Sequence, residues 1–484
     1  MATRLDRHKD KKSIFFDFIN RFSTRLKVII AIHILFASFI LTIDNLDYAA
    51  KVSLFAFLSA MTLWIGTKIP AGYVAVSLIV FIVFMKASEP ELLYHSFGEE
   101  VIWLMIGAFI IGEAINNAGL ADRFSQSMMN RAKNKNFILK SLTYVLCISA
   151  FFIPSTSGRA ALSMPIIKQL GDYFSDKEKE VLAVIVPVII LMSTSASLIG
   201  AGSHLIGVGF LETSTGESIS FVQWLIWGAP FAIVISFLSL FIIKLVLWPK
   251  EISTDTLHTP MNEEGIQAKQ PMSKKERKTI LFIIVLIMTW MTETLHGYDI
   301  AFITMVGAIL FMLPKYGVIS WKQGIKSVSW NLILFVAAAT ALGKVLVDSG
   351  VVGWIEKEMI GVLHLFTDAS EWLIVLLILI VTVTSHLYIT SHTTRAIVFI
   401  PSLLLFGQMI GANPVGVVFI SLIGMNYCVT FPVSSKALLL FYEEGEVTYK
   451  AGDLLKISFI LMPFYILVLL LFYFTYWQWT GLSI

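Results

Sequence analysis

An all-α polytopic membrane protein, with about eleven transmembrane helices and two re-entrant hairpins in inverted repeats, is what this sequence predicts. Three observations predict it. Apolar segments recur at membrane-spanning length, basic loops alternate with acidic or neutral ones, and one set of motifs occurs twice in the same order.

Hydrophobic residues make up 57% of the 484 and charged residues 14%, too little polar surface for a soluble protein of this length. Segments of roughly 15 to 25 apolar residues recur from Leu26 to Trp477, and each is long enough to cross a hydrocarbon core of about 30 Å. The cysteines, Cys147 and Cys428, both lie in apolar runs, which excludes a disulfide framework and a thiolate metal site. The net charge of +3 is small, and the basic residues follow topology instead of forming a nucleic-acid face. No His-Glu-x-x-His motif and no Ser/His/Asp grouping points to an enzyme. His386, beside Thr384 and Ser385, reads as a hydrogen-bonded structural histidine.

Taken in order, residues 1–25 are a basic segment with no cleavage site after the first apolar run, expected to stay on the protein in the cytoplasm. Residues 26–248 form a first half, 249–277 a polar cytoplasmic linker, and 278–484 a second half. Lys and Arg crowd the N-terminus, Arg123 to Lys135, Lys250 to Lys278 and Lys315 to Lys326, whereas the loops at Asp44–Asp47, Glu89–Glu100, Glu212–Glu217 and Glu356–Glu371 are acidic or neutral. The basic loops are cytoplasmic by the positive-inside rule. Alternation holds through the chain when each half contains a stretch that enters and leaves on one side. These stretches run over about 137–170, on the cytoplasmic side, and 371–407, on the outer side, and the C-terminus falls outside. An ordinary helical pair has the same parity. The polar residues and Pro at the middle of each stretch favour a re-entrant hairpin, which must be buried in protein or line a cavity.

Reading one half against the other exposes the repeat. Ser155-Thr156-Ser157-Gly158-Arg159-Ala160, followed by Pro165, matches Ser391-His392-Thr393-Thr394-Arg395-Ala396, followed by Pro401. Gly112 to Gly119 matches Gly343 to Gly350, and Ser203 through Phe210-Leu211-Glu212 matches Ser434 through Phe441-Tyr442-Glu443. The loop charges give the halves opposite orientation, an arrangement that places a transport site at the repeat interface near the midplane.

Ser, Thr and backbone N–H groups at a break in a membrane helix are neutral donors that replace the hydration of a carboxylate, and half-helix N-termini add positive potential. The repeated motif therefore reads as an anion cradle built twice, although interhelical bonding is the common use of such residues in membranes. Arg159, His392, Arg395 and Lys436 would compensate the charge, because an ionised group in hydrocarbon costs several kcal/mol unless paired or watered. Snorkelling to an interface is the alternative fate, above all for Arg395 and Lys436. Acids that could pair with all of these are scarce, so a multivalent anion is the natural partner.

At these residues the chain resembles the divalent anion–sodium symporter family, carriers of di- and tricarboxylates or sulfate, over nearly its whole length from Leu26. That family has Ser-Asn-Thr at the tip of each of two hairpins, matched here by Ser155-Thr156-Ser157 and Ser391-His392-Thr393. Leu104 to Arg123 is similar to its helix before the first hairpin, Ser197 to Gly207 to its Gly-rich segment, and Thr430 to Ser435 to the Pro-containing counterpart. The resemblance implies that Ser155, Thr156, Ser157, Ser391, His392 and Thr393 hold substrate, with Ser203 and Pro432 nearby. It also implies a homodimer in which a moving part carries the site past a scaffold.

Two departures bear on the ion. The family's Asn is replaced in both copies, by Thr156 and His392, and its Thr-Pro-Pro-Asn segments are missing, the later one reading Ser434-Ser435-Lys436-Ala437. A fixed cation beside the cradle neutralises a dianion as sodium would, and repels sodium from the same spot. The expectation is a transporter with no cofactor and no metal, independent of sodium, that exchanges C4 or C5 dicarboxylates such as succinate, malate or 2-oxoglutarate in a bacterial plasma membrane. A sodium-coupled symporter, a proton-coupled carrier using His392 and an anion channel are the alternatives, and sulfate remains an alternative substrate.

Overall fold

The computed structural model describes residues 24–67, 69–120, 123, 134–151, 153, 156–171, 173–249, 271–351, 353–355, 357–358, 369–387, 389, 392–443 and 448–484. Among them every regular element is helical. Most of the expected N-terminal segment and of the linker lies outside the described residues.

The chain divides into two compact units, one made of residues up to Ser96 with Ala338–Glu358, the other of Phe97–Ala337 with Met359–Ile484. In the smaller unit, α1 (Thr24–Leu41), α2 (Tyr48–Gly66) and α3 (Ala71–Phe84) pack in sequence. Asp47 starts α2 by accepting from Ala50 N at 2.8 Å, the usual satisfaction of a free N-terminal donor. Ile40, Leu46, Ala50 and Leu54 form its core with Leu346 and Val351.

The larger unit begins with α4 (Glu100–Asn117), then α5 (Lys135–Ser149) and α6 (Thr156–Gly171), which are separated by a break. Next come α7 (Asp176–Met192), two 3-10 turns at Ser193–Ala196 and Leu198–Gly200, α8 (Gly202–Thr215) and the long α9 (Phe221–Leu247). After the linker follow α10 (Lys274–Met291), α11 (Ile300–Phe311) and α12 (Trp330–Asp348), the last of which ends in the smaller unit. Then α13 (Glu371–Thr384) and α14 (His392–Met409) repeat the helix, break, helix order of α5 and α6. α15 (Pro414–Met425), a 3-10 turn at Pro432–Ser434 and α16 (Lys436–Glu443) repeat that of α7 and α8, and α17 (Ala451–Phe472) corresponds to α9.

Capping chemistry sets several starts. At α7, Glu178 Oε2 accepts from Ser175 N at 2.8 Å. Ser220 and Gln223 make a capping box at α9, and Ser273 and Glu276 at α10, each satisfying donors that a helix leaves free. That last box starts α10 at Lys274, ahead of the boundary expected at 278.

Five described helices are long and apolar enough to cross a membrane: Glu100–Asn117, Asp176–Ala196, Phe221–Leu247, Trp330–Asp348 and Ala451–Trp477. Their burial separates them by role. Asp176–Ala196 is 89% buried and forms the inside of its unit, whereas the apolar windows of Phe221–Leu247 and Ala451–Trp477 are 44% and 39% buried and turn much of their surface outward. Apolar residues facing out are the rule where lipid is the solvent.

α7 packs against α5, α6, α9 and α16, while α8 packs against α14 and α15. The helix after each break thus packs on a helix of the other repeat: α8 on α14 and α16 on α6. An aromatic cluster of Trp224, Trp227, Phe231, Phe419, Tyr465 and Trp477 fills the space between α9, α15 and α17. Gly228 lets α9 approach the first break, since a Cβ there would meet Ser195 O at 2.2 Å.

Candidate functional site

The two breaks are joined by buried hydrogen bonds. Trp224 Nε1 donates to Ser195 O at 3.0 Å, pinning the first break to α9. Asn426, at the end of α15, donates from Nδ2 to Ser195 Oγ at 3.3 Å and contacts His204 Nε2 of α8 through its side-chain amide at 3.1 Å. The other ring nitrogen of His204 lies 3.2 Å from Ser197 O, and the ring packs on Trp224. His204, Asn426 and Ser195 are all buried, so a chain of polar contacts crosses from one repeat to the other inside the unit.

Each break also receives an arginine, one from α6 and one from α14. Arg159 of α6 is 1% exposed and has all three guanidinium nitrogens bonded. Nε donates to Ser149 Oγ at 2.9 Å, Nη1 to Ile190 O at 3.1 Å, and Nη2 to Leu146 O at 2.7 Å and Ser193 Oγ at 2.5 Å. These acceptors belong to the last turns of α5 and α7, where carbonyls lack helical partners and the dipole favours a cation.

Arg395 of α14 is 0% exposed, but among the described residues only Nη1 is bonded, to Tyr427 O at 3.2 Å. Its Nε and Nη2 have no partner. Beside it, half-buried His392 places Nε2 at 2.9 Å from Cys428 Sγ, while its Nδ1 is buried and unpartnered. Ser197 Oγ, in the first break, is likewise buried and unpartnered. Buried polar atoms without a hydrogen-bond partner are costly and uncommon.

The remaining expected residues divide as follows. Ser155 and Ser391 lie outside the described residues. Thr156 and Ser157 open α6, and Thr393 follows His392 in the first turn of α14; all are half-buried. Ser203 is buried in the first turn of α8, and Pro432 is half-buried in the turn of the second break. Lys436 is exposed at the first position of α16. Arg159 and Lys436 are therefore not placed as Arg395 is: one is committed to helix ends and the other is exposed. His386 is the hydrogen-bonded histidine that was expected, with Nδ1 at 2.6 Å from Val383 O and Nε2 at 2.6 Å from Thr430 Oγ1.

Sequence reasoning missed His204, Asn426 and Cys428. The available signal was a polar side chain inside an apolar run: His204 directly follows Ser203, and Asn426 ends a run from Pro414.

Residues 21–483 match the family model described as the sodium:sulfate symporter transmembrane region. The chain belongs to this family. It is a multi-pass membrane transporter by that membership, not an enzyme. Among relatives, the sodium-dependent dicarboxylate transporter SdcS of Staphylococcus saprophyticus is 23% identical over 457 residues, covering 85% of this chain and 86% of its own. The citrate/succinate antiporter of Escherichia coli K12 is 23% identical over 391 residues, 78% of each chain. The chloroplastic dicarboxylate transporter 1 of Spinacia oleracea is 23% identical over 393 residues, 78% of this chain and 67% of its own. In fold, the chain is similar to the Alcanivorax borkumensis YdaH transporter, with a TM-score of 0.56 at 11% identity over 89% of this chain and 99% of that one. Within this family fold, these unpartnered atoms fall at the start of α14, on His392 and Arg395, and in the break between α7 and α8, on Ser197.

Proposed function

We propose that the protein exchanges small dicarboxylates across the membrane without sodium. The observation that carries this reading is the state of Arg395: fully buried, with two donors unpartnered and no carboxylate among its hydrogen-bond partners in the described residues. A buried guanidinium of this kind calls for an anion. His392 Nδ1 and the first turns of α14 and α6 supply neutral donors around it. The names of the relatives support a dicarboxylate: two are dicarboxylate transporters and one is a citrate/succinate antiporter. Succinate, malate and 2-oxoglutarate carry a carboxylate at each end, one for the Arg395 side and one for the first-repeat cradle of Thr156 and Ser157, with Ser203 and Pro432 nearby. Ser155 and Ser391 would complete the two cradles.

Exchange follows from a fixed charge. A sodium ion leaves with its substrate, but Arg395 stays, and an emptied site would carry an uncompensated cation through the membrane interior at a cost of several kcal/mol. Loaded sites would cross quickly and empty ones slowly. In the same reading, α5 with α6 and α13 with α14 are re-entrant hairpins, and α5, α6 and α13 are short for a span. Their 14 to 16 residues extend about 21 to 24 Å, short of a core of about 30 Å. The halves are inverted, the N-terminus is cytoplasmic and the C-terminus outside, and the protein works as a homodimer of elevator type in a bacterial plasma membrane.

Reconstitution in vesicles tests this. Labelled succinate is expected to enter only when succinate, malate or 2-oxoglutarate is inside, and equally when choline replaces sodium. Uptake that requires external sodium and ignores the internal anion would establish a sodium-coupled symporter in its place.

A further inference from the structure

Both cysteines of the chain are buried, but their surroundings differ. Cys147, in α5, has as its cationic neighbour Arg159, whose nitrogens are all bonded to protein acceptors. Cys428, in the irregular backbone after α15, has Arg395 beside it, with Nε and Nη2 unpartnered. Its Sγ is also 2.9 Å from His392 Nε2. A thiol whose sulfur lies this close to an imidazole nitrogen has a base within reach of its proton, the geometry that an activated nucleophile needs.

We propose that Cys428 is a nucleophilic thiol inside the anion site, open to covalent modification by small electrophiles that carry a carboxylate. This rests on reading the surroundings of Arg395 as an anion site. Arg395 would hold the carboxylate of the reagent and bring its electrophilic carbon to Sγ. With a haloacetate, His392 Nε2 takes the thiol proton, the sulfur electron pair forms the S–C bond, and the carbon–halogen bond breaks with its pair leaving as halide. The products are a carboxymethyl thioether, halide and a proton that passes from His392 to water; nothing is oxidised or reduced. Since Cys428 is fully buried, the reagent must enter by the path that admits substrate. The adduct leaves a carboxylate fixed at the site and blocks transport.

The experiment compares iodoacetate with the neutral iodoacetamide on the reconstituted protein, reading occupancy at Cys428 and Cys147 in the same sample by peptide mass spectrometry. Iodoacetate is expected to label Cys428 about tenfold faster than iodoacetamide, the effect of one charge-assisted bond. Cys147 is expected to show no such preference. Succinate should slow the reaction at Cys428, and Arg395→Gln should remove the preference. Equal rates with the two reagents, or a Cys428 labelled only after denaturation, would overturn the proposal, and both are read on the unaltered protein. The two readings separate cleanly. A preference for iodoacetate that succinate does not slow supports the thiol and counts against dicarboxylates, whereas succinate exchange with an inert Cys428 overturns the thiol alone.

Discussion

Arg159 Nη2 donates to Ser193 Oγ at 2.5 Å, and Arg395, at the matching place in the second repeat, has no such bond from its own Nη2. The same residue type is thus fully hydrogen-bonded in one repeat and only partly so in the other. Arg159→Gln removes charge-assisted bonds to four acceptors, and the expected loss of stability is on the order of 3 kcal/mol or more. Arg395→Gln removes one such bond and an uncompensated charge, so it should melt at the wild-type temperature or higher, with succinate affinity down about tenfold or more. Thermal unfolding and substrate binding in detergent check both; a destabilised Arg395→Gln with unchanged affinity would contradict the assignment.

Lys135 and Glu178 form a buried ion pair at the base of α5 and α7, with Nζ 3.0 and 2.9 Å from the two carboxylate oxygens. Both side chains are almost fully buried. Lys135→Ala should cost about 3 to 5 kcal/mol, because it leaves a buried carboxylate without its cation. The double variant Lys135→Met, Glu178→Gln should recover most of that, since Gln can still accept from Ser175 N. A double-mutant cycle on melting temperatures measures the coupling, and additive losses would show that the pair contributes nothing as a pair.

Gly228→Ala drives a methyl against Ser195 O, in the break that Trp224 also holds. Overpacking of this kind costs about 1 to 3 kcal/mol, and the displaced break should lower the exchange rate as well. Gly452→Ala on α17, where a Cβ meets nothing within 4 Å, serves as the control and should be neutral or slightly stabilising. Equal behaviour of the two variants would mean that the approach of α9 to the break is not close.

His392→Asn returns an amide oxygen to the position where the family motif has one. Uptake by this variant is expected to become stimulated by sodium, while wild-type rates change less than about twofold when choline replaces sodium. Counterflow at matched pH with and without sodium provides the measurement. A wild-type protein that already needs sodium would remove the basis for this prediction.

Much of the architecture was legible from local properties. Apolar length marks a membrane segment wherever it occurs, so the long helices could be read directly. The order of Ser155 to Arg159 and Ser391 to Arg395 revealed the duplication because short motifs survive when the intervening sequence has drifted. Capping boxes were less visible: Ser273 and Glu276 begin α10 within a stretch that reads as linker by charge alone.

The division of labour between Arg159 and Arg395 could not be read this way, nor could the exposure of Lys436. Composition and spacing state which groups are expensive to bury, since desolvation belongs to the residue itself. Whether that expense is met depends on acceptors that packing brings in, such as Ile190 O and Ser193 Oγ for Arg159. His204 meets Asn426 across 222 positions of sequence, and no periodicity encodes such a meeting. Hydrophobic length and motif repetition act along the chain and so are written in it, but hydrogen-bond partners act through space and exist only once the two repeats have folded against each other.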